Sequence, residues 1–143
     1  MKALFLINTA SSLFLTGLIW LVQVVHYPSF HFWGSRMAEA HAFHSTRISM
    51  IVVPIMLVEL ASSFALSMSN LPFRGWHQLG LGMVLLIWIV TFFMIVPIHN
   101  VIPLVESPGP SIDKLVSLNT WRTILWTIKS LIGIYLLWEY IQD

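Results

Sequence analysis

The chain has 143 residues, 57% of them hydrophobic and 9% charged, against roughly 45–50% and about 25% in ordinary globular chains. Seven Lys/Arg and six Asp/Glu cannot cover the surface of a soluble domain of this size, and a net charge of +1 gives no electrostatic grip on a nucleic acid. There is no cysteine, so disulfides, thiolate metal sites and a cysteine nucleophile are excluded, and any metal or redox centre must use His, carboxylate or Met.

The predicted architecture is all-α: a single domain over residues 1–143, folded as an integral membrane four-helix bundle in contact with the lipid bilayer. The first span covers about residues 3–26, close to the roughly 20 residues a helix needs to cross the hydrocarbon layer. It is longer than the core of a signal peptide and no small-residue cleavage pattern closes it, so a retained span is expected, ending at the Pro28 stop. The connecting segment Pro28 to Arg47 follows, and within it RMAEAHAFH at Arg36 to His44 is expected to start the second helix about three turns ahead of its span at about 46–68. Pro54 is expected to kink that helix. A tight turn, Ser69 to Gln78, leads to the third span at about 79–101. The Pro103 to Asn119 segment, with Pro108-Gly109-Pro110, reads as a loop before the fourth span at about 119–140. Trp20, Trp33, Trp76, Trp121, Trp138, Tyr27 and Tyr140 fall near span ends, where aromatic belts anchor helices at the interface. Loop charges are too balanced to fix orientation; the short Lys2 leader favours termini in the cytoplasm of a multi-pass bacterial inner-membrane protein.

Up-and-down hairpins bring the expensive residues to one face. His26 ends span one, His41, His44 and Arg47 open span two, His99 and Asn100 end span three, and Asn119, Trp121 and Arg122 open span four. His41 and His44 are i,i+3 neighbours and Arg47 is one more such step along; Gln23 and His26 repeat the offset. Trp88 and His99 lie eleven residues apart, about 20° around the helix, so one stripe holds both. Four imidazoles, His26, His41, His44 and His99, make a candidate shell for a transition metal (Zn, Cu or Fe) or axial ligands for a haem, with Met37 or Met94 as a soft partner. The competing reading is that these histidines are interfacial and bond headgroups or backbone carbonyls.

Deeper in the bundle, Glu59 lies eleven residues from Ile48 and Lys129 ten from Asn119. At about 1.5 Å per residue both are some 15 Å from the same face. An unpaired charge there costs roughly 2.5–3.5 kcal/mol, so a buried Glu59–Lys129 ion pair is expected, either fixing helix register or relaying protons. Arg122, Trp126 and Lys129 form a stripe at i, i+4 and i+7 that leads from the His face to the pair. Ser12 and Thr16 serve as helix contacts or line the interior.

QVVHYPSF at Gln23 to Phe30, HAFHSTRI at His41 to Ile48, PIMLVEL around Glu59, VPIHN at Val96 to Asn100 and NTWRTILWTIK at Asn119 to Lys129 resemble a bacterial family of four-span membrane proteins over most of the chain. The layout is also distantly similar to the anthrone-oxygenase-like membrane proteins. That second resemblance implies oxygen or redox chemistry on a lipophilic substrate.

The sequence reading is thus a membrane protein with a His-lined site at one face, binding metal or haem for redox chemistry on a small lipophilic substrate. Arg47 and Arg122 would hold an anionic or oxygen-rich group of that substrate, and Asn100, Gln23 and Trp126 would support them. Two rivals stand beside it: a non-catalytic membrane subunit that binds a partner, and a small transporter with Glu59 carrying a proton or cation. A homo-oligomer is compatible with each.

Overall fold

The computed structural model describes residues 2–105 and 107–142, and among them there is no strand. Four long helices follow one another: α1 Lys2–Phe32, α2 Gly34–Met68, α3 Arg74–Leu104 and α4 Gly109–Gln142. Three of them, α1 to α3, are long and apolar enough to cross a membrane. The fourth is as long but less apolar, because Asp113, Lys114, Asn119, Arg122 and Lys129 interrupt it.

The helices run up and down, each against two neighbours, in the order α1, α2, α3, α4 and back to α1. Gly34, at φ +53°, turns α1 into α2. Phe73 makes the turn into α3 from the left-handed region at φ 62°, an unfavourable conformation for a bulky residue, and its carbonyl accepts the N–H groups of Trp76 and His77. One end of the bundle carries Phe5, whose ring packs against both His77 and Tyr140. The other carries the cluster of histidines.

Burial is arranged inside out. Large apolar side chains such as Leu21, Met50, Phe93 and Trp138 face outward, whereas Ser12, Ser62, Ser63, Asn119, Thr123 and Ser130 are buried between helices. Small hydroxyl residues let helix backbones approach closely where the surroundings are as apolar as the core. Thr16 Oγ1 donates to the Trp126 carbonyl at 3.0 Å and lies 2.7 Å from Ser130 Oγ, joining α1 to α4. The apolar core of Leu15, Ile19, Met56, Ile87, Ile95 and Trp126 lies towards the His end of these contacts.

Three expected boundaries are corrected, the first being the Ser69 to Gln78 turn, which is shorter than expected because α3 begins at Arg74. Pro28 does not stop α1, which continues to Phe32 through a π-turn over Val22–His26, with Tyr27 N–H bonded to the Val22 carbonyl. A second π-turn, Thr91–Ile95, precedes Pro97 in the same way. A proline ring ordinarily clashes with the carbonyl four residues back; one wide turn just ahead of it relieves that conflict and keeps the helix whole. The expected loop before span four is mostly helix, since α4 begins at Gly109 and Ile112 N–H bonds the Pro108 carbonyl at 2.9 Å. Pro110 sits in the first turn, where a missing N–H leaves nothing unsatisfied. Pro54 lies inside α2 without interrupting it.

Candidate functional site

The second half of α1, the middle of α2, the second half of α3 and the middle of α4 enclose a cavity of about 230 Å³. Its wall is apolar for most of its extent, with Leu15 and Ile19 from α1, Val52 and Met56 from α2, and Ile95 from α3. Polar groups also line it: Tyr27, His99, Arg122 and the indoles of Trp88 and Trp126.

Tyr27 was expected among the interfacial anchors; it is buried instead, with its hydroxyl 3.0 Å from His99 Nε2. The π-turn accounts for the change, because one extra residue in the turn rotates everything after it by roughly 100° about the axis. His99 Nδ1 in turn shares a hydrogen bond with His41 Nε2 at 2.8 Å, and Ser45 Oγ lies 3.4 Å from that same His41 nitrogen. The chain Tyr27–His99–His41 has two complete arrangements. In one, Tyr27 O–H donates to His99 and His99 N–H donates to His41. In the other, both bonds reverse and the tyrosine hydroxyl is free to donate into the cavity. Passing from the first to the second shifts the Tyr27 proton to His99 Nε2 and the His99 Nδ1 proton to His41 Nε2; Tyr27 then takes a proton from the cavity and His41 gives up its Nδ1 proton, so one proton crosses the chain without moving a heavy atom.

The other two imidazoles are arranged differently. The rings of His26 and His44 stack at 3.3 Å between centroids and 25° between planes. His26 Nε2 is buried with no hydrogen-bond partner. Phe30, fully buried, packs edge-on against both of these rings and against His41 and His99. All four histidines therefore share one end of the bundle, but not one focus. Nearly parallel rings this close cannot both direct in-plane lone pairs at one ion, which requires roughly 2.0–2.1 Å from each nitrogen. His41 and His99 already bond each other. Among the described residues no group of three or more His, Asp or Glu is placed to hold a metal ion, and the imidazoles as arranged do not fit a metal or haem-iron shell.

The remaining expected site residues divide in two. Gln23 takes part: its Oε1 accepts from Asn119 Nδ2 at 2.7 Å, its Nε2 donates to Thr120 Oγ1 at 3.1 Å, and Asn119 Oδ1 accepts from Arg122 Nη1 at 3.2 Å. This line of amides sets the Arg122 head at the cavity, where it also lies 5.2 Å from the Trp126 ring. Asn100 and Arg47 do not take part. Asn100 is exposed, since it is one residue, about 100° of helix rotation, away from inward-facing His99. Arg47 is exposed on α2 with its guanidinium 3.6 Å over the Phe43 ring. It borders a separate outer groove with His26 and His44. His31 pairs with Asp113 at 3.1 Å on the surface, and His77 is at the far end.

Below the cavity lies the second polar layer. Lys129 Nζ is 3.1 Å from Glu59 Oε1, with 4% and 1% of the two side chains exposed. Ser12 Oγ donates to Glu59 Oε1 at 2.8 Å and Trp126 Nε1 to Oε2 at 3.0 Å, while Lys129 also donates to Ser12 and to Asn8 Oδ1. Asn8 Nδ2 continues the network to the hydroxyls of Ser62 and Ser63, both at 2.8 Å. Comparison with protein-family models, with curated proteins and with solved structures gives no match for the chain.

Asn119, Tyr27 and Trp88 are the site residues the sequence reading left out of its site. The sequence carried only a partial signal for Tyr27: Pro28 and Pro97 each follow a π-turn, but Pro54 lies in α2 without one, so a proline in a helix does not by itself mark the wide turn.

Proposed function

We propose that this chain is a four-span integral membrane protein of the bacterial inner membrane, akin to the bacterial four-span proteins it resembles, which binds a small lipophilic molecule within its bundle and exchanges a proton with it. The observation that carries this reading is the apolar cavity with Tyr27, His99 and Arg122 in its wall. An apolar pocket with a few convergent polar groups is the form that small-molecule sites take, and the Tyr27–His99–His41 chain supplies a proton donor or acceptor at its edge. Glu59 is already held by Lys129, Ser12 and Trp126, which favours bracing over the carriage of an ion. The test uses bromooctane, titrated into purified protein in detergent while tryptophan fluorescence is followed. Saturable quenching through Trp88 and Trp126 is expected, and Val52→Phe, which fills the cavity wall, should abolish the saturable part. Quenching that rises without saturation, equally in both proteins, contradicts the reading.

A second reading keeps a transition metal or haem at the His cluster. What favours it is the gathering of four imidazoles at one end and the unpartnered His26 Nε2. It requires the His26–His44 stack to open. Zn, Cu and Fe content and the Soret region of the purified protein decide it: stoichiometric metal or haem lost in His44→Ala and kept in His77→Ala supports it, and none in the wild type removes it.

A further inference from the structure

Arg122 is 5% exposed, and its Nε is buried with no hydrogen-bond partner. Its Nη1 bonds a neutral amide, Asn119 Oδ1. Among the described residues no carboxylate is within ion-pair distance of it. Glu59, the buried carboxylate, is fully committed to Lys129, Ser12 and Trp126. A second donor in the same cavity wall, Trp88 Nε1, is also buried without a partner. A buried charge with no counter-charge costs several kcal/mol, and an unmet N–H adds about 1–3 kcal/mol. Two residues of one cavity wall, each with a buried donor that has no partner and one of them an uncompensated cation, describe what belongs there.

We propose that the ligand supplies the missing anion: the cavity takes a lipophilic monoanion of carboxylic-acid character, its head on the Nε edge of Arg122 and within reach of Trp88 Nε1, its apolar body along Leu15, Val52 and Met56. This rests on the cavity reading above. The guanidinium fork matches a carboxylate better than a point cation does, since two N–H groups can meet two oxygens. Inorganic anions are disfavoured by the apolar wall. A two-chain phospholipid is too large for about 230 Å³. Once bound, the acid group lies beside Tyr27, at the head of the proton chain.

Octanoic acid, octanol and methyl octanoate serve as probes, titrated calorimetrically into the purified protein in nonionic detergent at about pH 8, where the acid is ionised. A charge-assisted bond of about 1.5–3 kcal/mol corresponds to octanoate binding about tenfold to a hundredfold tighter than the other two. Arg122→Gln should remove that preference, Arg122→Lys should keep part of it, and Trp88→Phe should weaken octanoate about threefold while leaving octanol unchanged. The wild-type comparison needs no variant, so it stands even if Arg122→Gln fails to fold. Equal binding of acid, alcohol and ester to the wild type overturns the anion and leaves the cavity reading intact. Saturable binding of none of the three overturns the cavity reading itself.

Discussion

Two buried cations stand on one helix, seven residues or two turns apart, and the chain treats them in opposite ways. Lys129 is given a carboxylate, a hydroxyl and an amide oxygen. Arg122 is given one neutral amide and two aromatic neighbours, Tyr27 and Trp126, and no anion. Both charges are expensive in a low-dielectric interior, so the difference separates their roles. A charge neutralised by its own chain braces the fold; a charge left over is kept for something that comes from outside.

The sharpest way to break that contrast is to remove each cation in turn. Lys129→Met strands Glu59 and should cost about 3–5 kcal/mol, less where the carboxyl neutralises. Adding Glu59→Gln should recover much of the loss, because no lone charge remains. Thermal melts of the three proteins in one detergent measure this, and strictly additive losses would mean the two residues do not cooperate. Arg122→Gln, by contrast, keeps a donor for Asn119 and discards an uncompensated charge, so its stability should lie within about 1 kcal/mol of wild type. A deficit as large as that of Lys129→Met would place Arg122 with the bracing residues.

Smaller effects sharpen the picture. Gln23→Leu leaves Asn119 Nδ2 without its acceptor and should cost about 1–3 kcal/mol while loosening Arg122, so octanoate should bind more weakly and octanol unchanged. Tyr27→Phe removes one hydrogen bond, about 0.5–1.5 kcal/mol, and frees His99 Nε2. The His99 and His41 imidazole nitrogen resonances should both shift, since the two rings share one proton chain; a shift confined to His99 would mean that the chain is not coupled.

Much of this was readable from spacing. Up-and-down helices brought His26, His41, His44 and His99 to one end, and rise-per-residue arithmetic put Glu59 level with Lys129, which stand 3.1 Å apart. Spacing failed where the helix departs from 3.6 residues per turn. Val22–His26 and Thr91–Ile95 are π-turns, so the direction of every side chain after them is displaced, and Tyr27 moved from the interface into the site. Asn100 and Arg47 were grouped with the site by position along the axis, yet rotation about the axis decides what faces inward. The focus of the four imidazoles was beyond sequence altogether, because whether rings stack or converge depends on side-chain torsions.

The most direct measurement is the melting temperature of wild type, of Arg122→Gln and of the Glu59→Gln, Lys129→Met double variant, each with and without octanoate. A ligand that binds only the folded state raises stability in proportion to its occupancy, by about 2.7 kcal/mol at a hundred times Kd. Octanoate should stabilise the wild type and the double variant and leave Arg122→Gln where it was. Equal stabilisation of Arg122→Gln, or loss of the effect in the double variant alone, would contradict the division between a bracing charge and a receiving one.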